Sequence, residues 1–207
     1  MPRKTEPTDR IIDAALALAS ERGWRHTELH DIAARAGVDL ATVYRATGGK
    51  AGILAAWSRR VDLAMLDGIA TPDSTETAHD RLFDILMRRF DALGRHKAAV
   101  LMLVREMRSQ PVAGLAQTPA LLRGMRWALR GAGLRADGLA GAVAERALAC
   151  AWLATLRVWL GDDSADSGPT MAALDRNLRR LASVAPVLRS RSEQGRPGMA
   201  AGVEGAA

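Results

Sequence analysis

The 207-residue chain has a single cysteine, Cys150. A disulfide framework within one chain is therefore excluded, as is a cysteine-based zinc site. Aromatic residues make up only 4% of the sequence. β-Branched runs are absent and no stretch alternates apolar and polar residues with period two, so the raw material of a β-sheet is missing. Long apolar runs are missing too: the longest, Ala147 to Leu156, is interrupted by Thr155 and stopped by Arg157. A bilayer-spanning helix needs about 20 apolar residues, so no membrane span is expected. The opening residues, Met1-Pro2-Arg3-Lys4-Thr5-Glu6, lead into a mixed-charge segment rather than an apolar one. No secretory signal is expected, and the expected location is the cytoplasm. Lysine occurs only at positions 4, 50 and 97, so arginine supplies nearly all of the 29 basic residues.

What is present is apolar and charged in ordinary globular proportion, 48% and 25%, with a net charge of +6. This excludes global disorder. A basic balance suits an anionic partner such as nucleic acid, although abundant Arg and Ala equally reflect a GC-rich coding bias. Ala, Leu, Arg and Met dominate, all good helix formers, and the expected fold class is all-α.

The first helix is expected from Thr8, read as its N-cap, to Gly23, with Ile12, Ala15, Leu16 and Ala19 on its apolar face. Short helices follow at about Glu28 to Ala36 and Leu40 to Ala46. After the Gly48-Gly49 break, a long helix is expected from Lys50 to Ile69, with Ile53, Leu54, Trp57 and Val61 on one side. Thr71 to Thr75 reads as a loop. Five further helices are expected over Thr77–Leu93, Lys97–Ser109, Thr118–Gly131, Asp137–Leu160 and Pro169–Leu188. Pro119 and Pro169 suit first-turn positions. The domain division is a flexible start at 1–7, a head at 8–48, a body at 49–189 and a disordered tail at 190–207.

The informative stretch runs from Leu29 to Arg45. Ala33 is a small residue where two steeply crossing helices would touch, Gly37 four residues on suits the turn, and Val43 can bury between them. Ile32 and Val38 complete a small core. This is helix-turn-helix spacing, which places a second helix in the DNA major groove. Here the sequence resembles the TetR family of transcriptional regulators. The matching residues are Ile11-Ile12-Asp13-Ala14-Ala15, Gly23-Trp24, Thr27, Ile32-Ala33-Ala34-Arg35-Ala36-Gly37-Val38, Thr42-Val43-Tyr44-Arg45, Lys50 and Ile53-Leu54. By motif the resemblance covers about residues 8–57. It implies an N-terminal head that binds double-stranded DNA at a palindromic operator. It also implies a body that forms a homodimer through the last two helices and takes a ligand.

The DNA-contacting residues expected from the chemistry and the matched positions are Thr27, Leu40, Thr42, Tyr44, Arg45 and Lys50. Thr42 and Tyr44 offer hydroxyls to phosphate, and Arg45 suits phosphate or a guanine edge. Lys50 sits at a helix start where free N–H groups favour an anion. Thr27 reads as a cap of the second helix that touches the backbone of DNA. Tyr44 has an alternative role in the core. The sequence departs from the family at Ala46 and Thr47, where a His-Phe pair is usual, and at Asp39 and Leu40, where small polar residues are common.

In the body, Leu82, Phe83, Leu86, Met87 and Phe90 recur at helical spacing. The expected ligand-pocket residues are Trp57, Phe83, Met87, Phe90, Met102, Met125 and Trp152, for a small apolar ligand; ordinary core explains the same pattern. Val143, Leu148, Leu153, Leu156, Leu174, Leu178 and Leu181 could build the dimer face, or a core within one chain. The segment from Thr155 to Arg176, with the acidic loop Asp162-Asp163-Ser164-Ala165-Asp166, also resembles the TetR-fold lipid-binding proteins of ubiquinone biosynthesis. That resemblance implies an isoprenoid-binding body and a vestigial head.

Other patterns lack context. Gly131-Ala132-Gly133-Leu134-Arg135-Ala136 fits GxGxxA, but a helix rather than a strand precedes it. Asp162, Ser164 and Asp166 lack the Gly and Glu placement of a calcium loop. His26, His30, His79 and His96 form no HExxH motif, and there is no GxSxG elbow. No catalytic residues, metal or cofactor are expected, and the chain is not expected to be an enzyme.

Overall fold

The computed structural model describes residues 6–69, 76–109, 116–134 and 137–184. The expected loop at 71–75 and tail at 190–207 lie outside the described residues. Those described form nine helices and no strand: α1 Pro7–Arg22, α2 Leu29–Ala36, α3 Leu40–Thr47, α4 Lys50–Leu66, α5 Ala78–Gly94, α6 Lys97–Ser109, α7 Thr118–Gly131, α8 Gly138–Leu160 and α9 Gly168–Val184.

Side chains fix two of the helix starts. Asp39 caps α3 by accepting from the Thr42 N–H, and Thr77 caps α5 by accepting from the Asp80 N–H. Gly37 takes the left-handed conformation after α2 (φ 63°) and donates its N–H to Ala33 and Ala34 carbonyls, the role for which glycine carries no Cβ penalty. Three ends differ. Thr8 lies inside α1, whose first residue is Pro7, because proline's fixed φ and missing N–H suit that position. Pro7, placed in the expected flexible start, is thus helical, and residues 1–5 lie outside the described residues. α4 stops at Leu66, with Asp67 extended and Gly68 at φ 68°. α9 starts one residue earlier than expected, at Gly168.

The apolar residues sort into two cores. Ile11, Ile12, Leu16 and Ala19 of α1 pack with Ile32, Ala33 and Val43 of α2 and α3, and with Ile53 and Leu54 of α4. Ala99 and Leu103 of α6 close this head core from the body side. The body core centres on Phe90, 1% exposed. Its ring stacks on Trp152 (5.8 Å) and tilts against Trp159 (5.7 Å). α8 packs along α9, where Asn177 donates to the buried Thr155 hydroxyl oxygen at 3.0 Å.

Two expectations about the body change. α8 is 23 residues long with a mean hydropathy of 1.4 over an 18-residue window, so by length and composition it could cross a membrane. Reading only unbroken apolar runs misses this. The packed structure gives the composition another cause: α8 is a core helix, and its buried Glu145 is held by Arg126 through bonds of 2.6 and 3.1 Å. Of the seven residues expected at a dimer face, Leu148, Leu156, Leu174, Leu178 and Leu181 are buried within the chain. Only Val143 and Leu153 are exposed, joined by Leu139. Leucine spacing on one face marks what is buried, but intrachain burial satisfies it equally.

Candidate nucleic-acid interface

α3 stands on the surface of the head with only Val43 buried beneath it. Its N-terminus is fixed by the Asp39 carboxylate, whose oxygen lies 2.6 Å from the Thr42 nitrogen. The side-chain and backbone bonds to Thr42 hold this carboxyl below the usual carboxylate range. Leu40 and Arg45 are exposed, and Tyr44 is 72% exposed, which removes its core alternative. Arg45 Nη2 donates to Thr42 Oγ1 at 3.1 Å. The i, i+3 spacing places guanidinium and hydroxyl side by side on the outer face, an arrangement that suits phosphate oxygens and base edges.

Two of the expected DNA-contacting residues are bonded within the chain. Thr27 is fully buried and donates its hydroxyl to the Gly23 carbonyl oxygen at 2.9 Å. It does not cap α2, which has no side-chain cap bond, and its side chain does not reach solvent. Lys50 begins α4 as expected, but its ammonium turns back. It donates to the Trp24 carbonyl oxygen at 2.7 Å and lies 5.0 Å from the Trp24 ring centre. It fastens the α1–α2 turn to α4. The α4 N-terminus itself follows Gly49 and has no side-chain cap.

The departures at Ala46 and Thr47 have a local explanation. Ala46 packs against the head core. Thr47 donates its hydroxyl to the Val43 carbonyl oxygen at 2.8 Å, and its oxygen lies 3.4 Å from the Gly49 nitrogen. A hydrogen-bonded turn stands where an aromatic side chain would pack.

Below the head, α4, α5, α6, α7 and α8 line a mostly apolar cavity of about 270 Å³ that opens to solvent. Trp57 and Trp152 line it as expected. Phe83, Met87, Phe90, Met102 and Met125 do not. Phe90 and Met125 are buried in the body core, Phe83 and Met87 pack against that core, and Met102 approaches Gly23 of the head. The sequence reading missed the residues that do form the walls, among them Leu54, Val61, Val100, Leu103, Val104 and Leu121, and one charged residue, Arg89. An arginine in an otherwise amphipathic α5 carries no sign that it points inward; only its burial reveals it.

The acidic loop after α8 is a capping device. Asp162 accepts from the Ser164 and Thr170 hydroxyls and from both of their backbone N–H groups. These bonds lower its carboxyl to about 2. Lys97 donates to the Asp162 carbonyl oxygen and to Asp163. Among the described residues no group of three or more His, Cys, Asp or Glu is placed to hold a metal.

The family model for bacterial regulatory proteins of the tetR family matches residues 11–57. No curated protein matches the sequence. Among solved structures, a TetR transcriptional regulator from Nitrosomonas europaea is 25% identical with a TM-score of 0.69, covering 86% of this chain and 99% of that one. A TetR transcriptional regulator from Rhodococcus sp. RHA1 is 23% identical with a TM-score of 0.62, covering 84% and 94%. The transcriptional regulator FadR from Bacillus subtilis, in complex with stearoyl-CoA, is 20% identical with a TM-score of 0.53, covering 84% and 97%. The helix-turn-helix head is that of the tetR family of bacterial regulatory proteins, and the chain as a whole has the fold of TetR-family transcriptional regulators.

Proposed function

We propose that this protein is a dimeric, cytoplasmic transcriptional repressor that leaves its operator when a small apolar ligand fills the body cavity. The observation that carries the DNA-binding half is α3: a capped helix, held from below by Val43, with Leu40, Thr42, Tyr44 and Arg45 on its outer side. Arg45 reads base edges in this reading, while Thr42 and Tyr44 hold phosphates and α4 offers its uncapped N-terminus to another. The exposed apolar residues Leu139, Val143 and Leu153 of α8 support a face for a second copy. Two heads on a two-fold axis would then meet half-sites about 34–36 Å apart.

The ligand half is supported by shared residues. Leu54 and Leu103 belong to the head core and also line the cavity. A molecule in the cavity therefore presses on side chains that set the position of α1 and α4. α6 makes a second link, through Glu106, which accepts from the Arg25 N–H at 3.1 Å. The stearoyl-CoA complex of the Bacillus subtilis protein supports a ligand in a body of this fold.

The test is fluorescence anisotropy with DNA from the protein's own upstream region beside a scrambled duplex, across a salt series. The expected preference is about a thousandfold or more. Equal, weak, salt-steep binding to both duplexes would overturn operator binding at that region. Arg45→Ala is expected to weaken the native duplex by about 1–3 kcal/mol and the scrambled one by less; equal losses would refute base reading.

A second reading, a lipid-binding protein with a vestigial head, draws on the turn at Thr47 and on the cavity. The acidic loop adds little to it, because capping α9 already accounts for Asp162. Mass spectrometry of organic extracts of the purified protein tests it: absence of any co-purified lipid counts against it.

A further inference from the structure

The cavity wall is not uniformly apolar. Arg89 and Trp152 line it side by side, 5% and 6% exposed, with the guanidinium carbon 5.3 Å from the indole centre. Arg89 Nη1 donates to Asp62, itself 5% exposed. The other Asp62 oxygen accepts from Arg123 Nε at 3.3 Å, and Arg123 also reaches the Ser58 hydroxyl oxygen at 3.3 Å. Ser58 lines the cavity as well. Two guanidiniums thus share one carboxylate, and the cluster carries one positive charge in excess. Two buried donors in it have no acceptor: Arg89 Nε and Trp152 Nε1. Leaving buried N–H groups unpaired opposes folding, and both are closed off by packing behind the cavity wall, so the cluster is held tightly in place without them. α7 passes close to this cluster because residue 124 is glycine; a Cβ there would lie 2.7 Å from Asp62 Oδ1 and 2.8 Å from Arg89 Nη1. The surrounding sequence is shaped around the ion pair.

We propose that the cavity takes an apolar molecule ending in a single carboxylate, with that carboxylate held by the Arg89 guanidinium. The inference rests on the reading of the cavity as a ligand site and names the class of ligand. The excess charge selects an anion over an alcohol or an ammonium. Its size, one unit, matches a monoanion. A guanidinium presents its N–H groups in a fork that fits a carboxylate, and the rest of the wall offers hydrocarbon, with Trp57, Val100, Leu103 and Leu121 against the body of the molecule. A cavity of about 270 Å³ lies at the small end of ligand pockets, about 300–1,000 Å³, which favours a medium-length chain.

The experiment titrates the full chain with decanoate, decanol and decyltrimethylammonium below their micellar concentrations, reading tryptophan fluorescence and calorimetry. Decanoate is expected to bind at least about tenfold tighter than decanol, a difference of about 1.4 kcal/mol, and decyltrimethylammonium weakest. Trp152→Phe keeps the ring and deletes an N–H that the cavity does not reach; it should leave the decanoate-to-decanol ratio within about twofold of the parent. The double variant D62N/R89M removes the buried pair together and should bring the ratio to about one, with helical circular dichroism checking the fold of each. Equal binding of decanoate and decanol to the unmodified chain would overturn the carboxylate while leaving a ligand cavity. A preference that survives D62N/R89M would overturn the assignment to Arg89. No binding of any probe would overturn both the inference and the ligand reading beneath it.

Discussion

Gly52 sits where two pieces of main chain nearly touch. A Cβ on it would lie 1.5 Å from the Thr47 carbonyl oxygen and 2.7 Å from the Thr47 carbonyl carbon. Both atoms are backbone, so no rotamer change relieves the overlap. Helix propensity alone favours alanine there by about 1 kcal/mol, but the clash is the larger effect. Gly52→Ala is expected to destabilise the protein by about 1–3 kcal/mol, measured by urea denaturation. A variant as stable as the parent would mean that α3 and α4 can part without cost. Nothing in the sequence singles this glycine out, since its reason is a carbonyl across the Gly48-Gly49 turn. Gly37 is the contrasting case. It follows a periodic helix and precedes a cap residue, so its left-handed turn was legible from local order alone. Thr27 shows the opposite failure. It stands where a cap could be read, yet its hydroxyl is spent on the Gly23 carbonyl because the short α1–α2 turn brings the two together.

At the scale of the element, helices were legible because 3.6-residue periodicity and capping chemistry act within one segment. What each helix packs against was not, since periodicity marks a buried face and is silent about its partner. Hence Phe83 and Met87 on α5 proved to lie against the body core while Arg89 of the same helix reaches the cavity. The join of α8 to α9 offers an element-level test. Asp162 has a carboxyl lowered from 3.8 to about 2 by its bonds to Ser164 and Thr170. A carboxylate whose folded value is depressed adds stability that is complete above its unfolded value and disappears as pH falls through the folded value. The stabilising effect of Asp162 should therefore be constant above about pH 4 and fade between there and about pH 2. Asp162→Asn should lower Tm at neutral pH, and the gap from the parent should narrow on acidification across that window. A gap that stays constant to the acid limit would refute the role of the ionised cap. The same capping makes the loop's acidic composition a structural feature, which weakens its value as a sign of lipid binding.

At the scale of the whole molecule the head and body are joined by shared walls. Leu54 and Leu103 serve both the head core and the cavity, and Arg60 of α4 reaches α1 through Asp13 at 2.7 Å and Asp9 at 3.5 Å. His96 lies beside Arg60; burial first, then that guanidinium, holds its imidazole below its usual value. The proposed two-fold assembly sets the distance between heads. Val143→Arg would place like charges opposite each other across the α8 face and should convert a dimer to a monomer by light scattering, with most operator affinity lost. An unchanged mass would move the dimer face elsewhere. Coupling between cavity and head can be tested without any ligand. Val104 is half-buried in the cavity wall on α6, and α6 packs directly on α1. Val104→Trp would fill part of the cavity with side chain. If occupancy favours a head position that no longer fits the operator, the filled variant should bind operator DNA about 5–150-fold more weakly, the range of a coupling of about 1–3 kcal/mol. Binding to scrambled DNA should change far less, because phosphate contacts on each head survive a change in spacing. Linkage also requires that operator DNA weaken decanoate binding to the unmodified protein by the same factor that decanoate weakens DNA. A Val104→Trp protein that excludes decanoate yet holds the operator as tightly as before would separate the cavity from the head and refute release by occupancy.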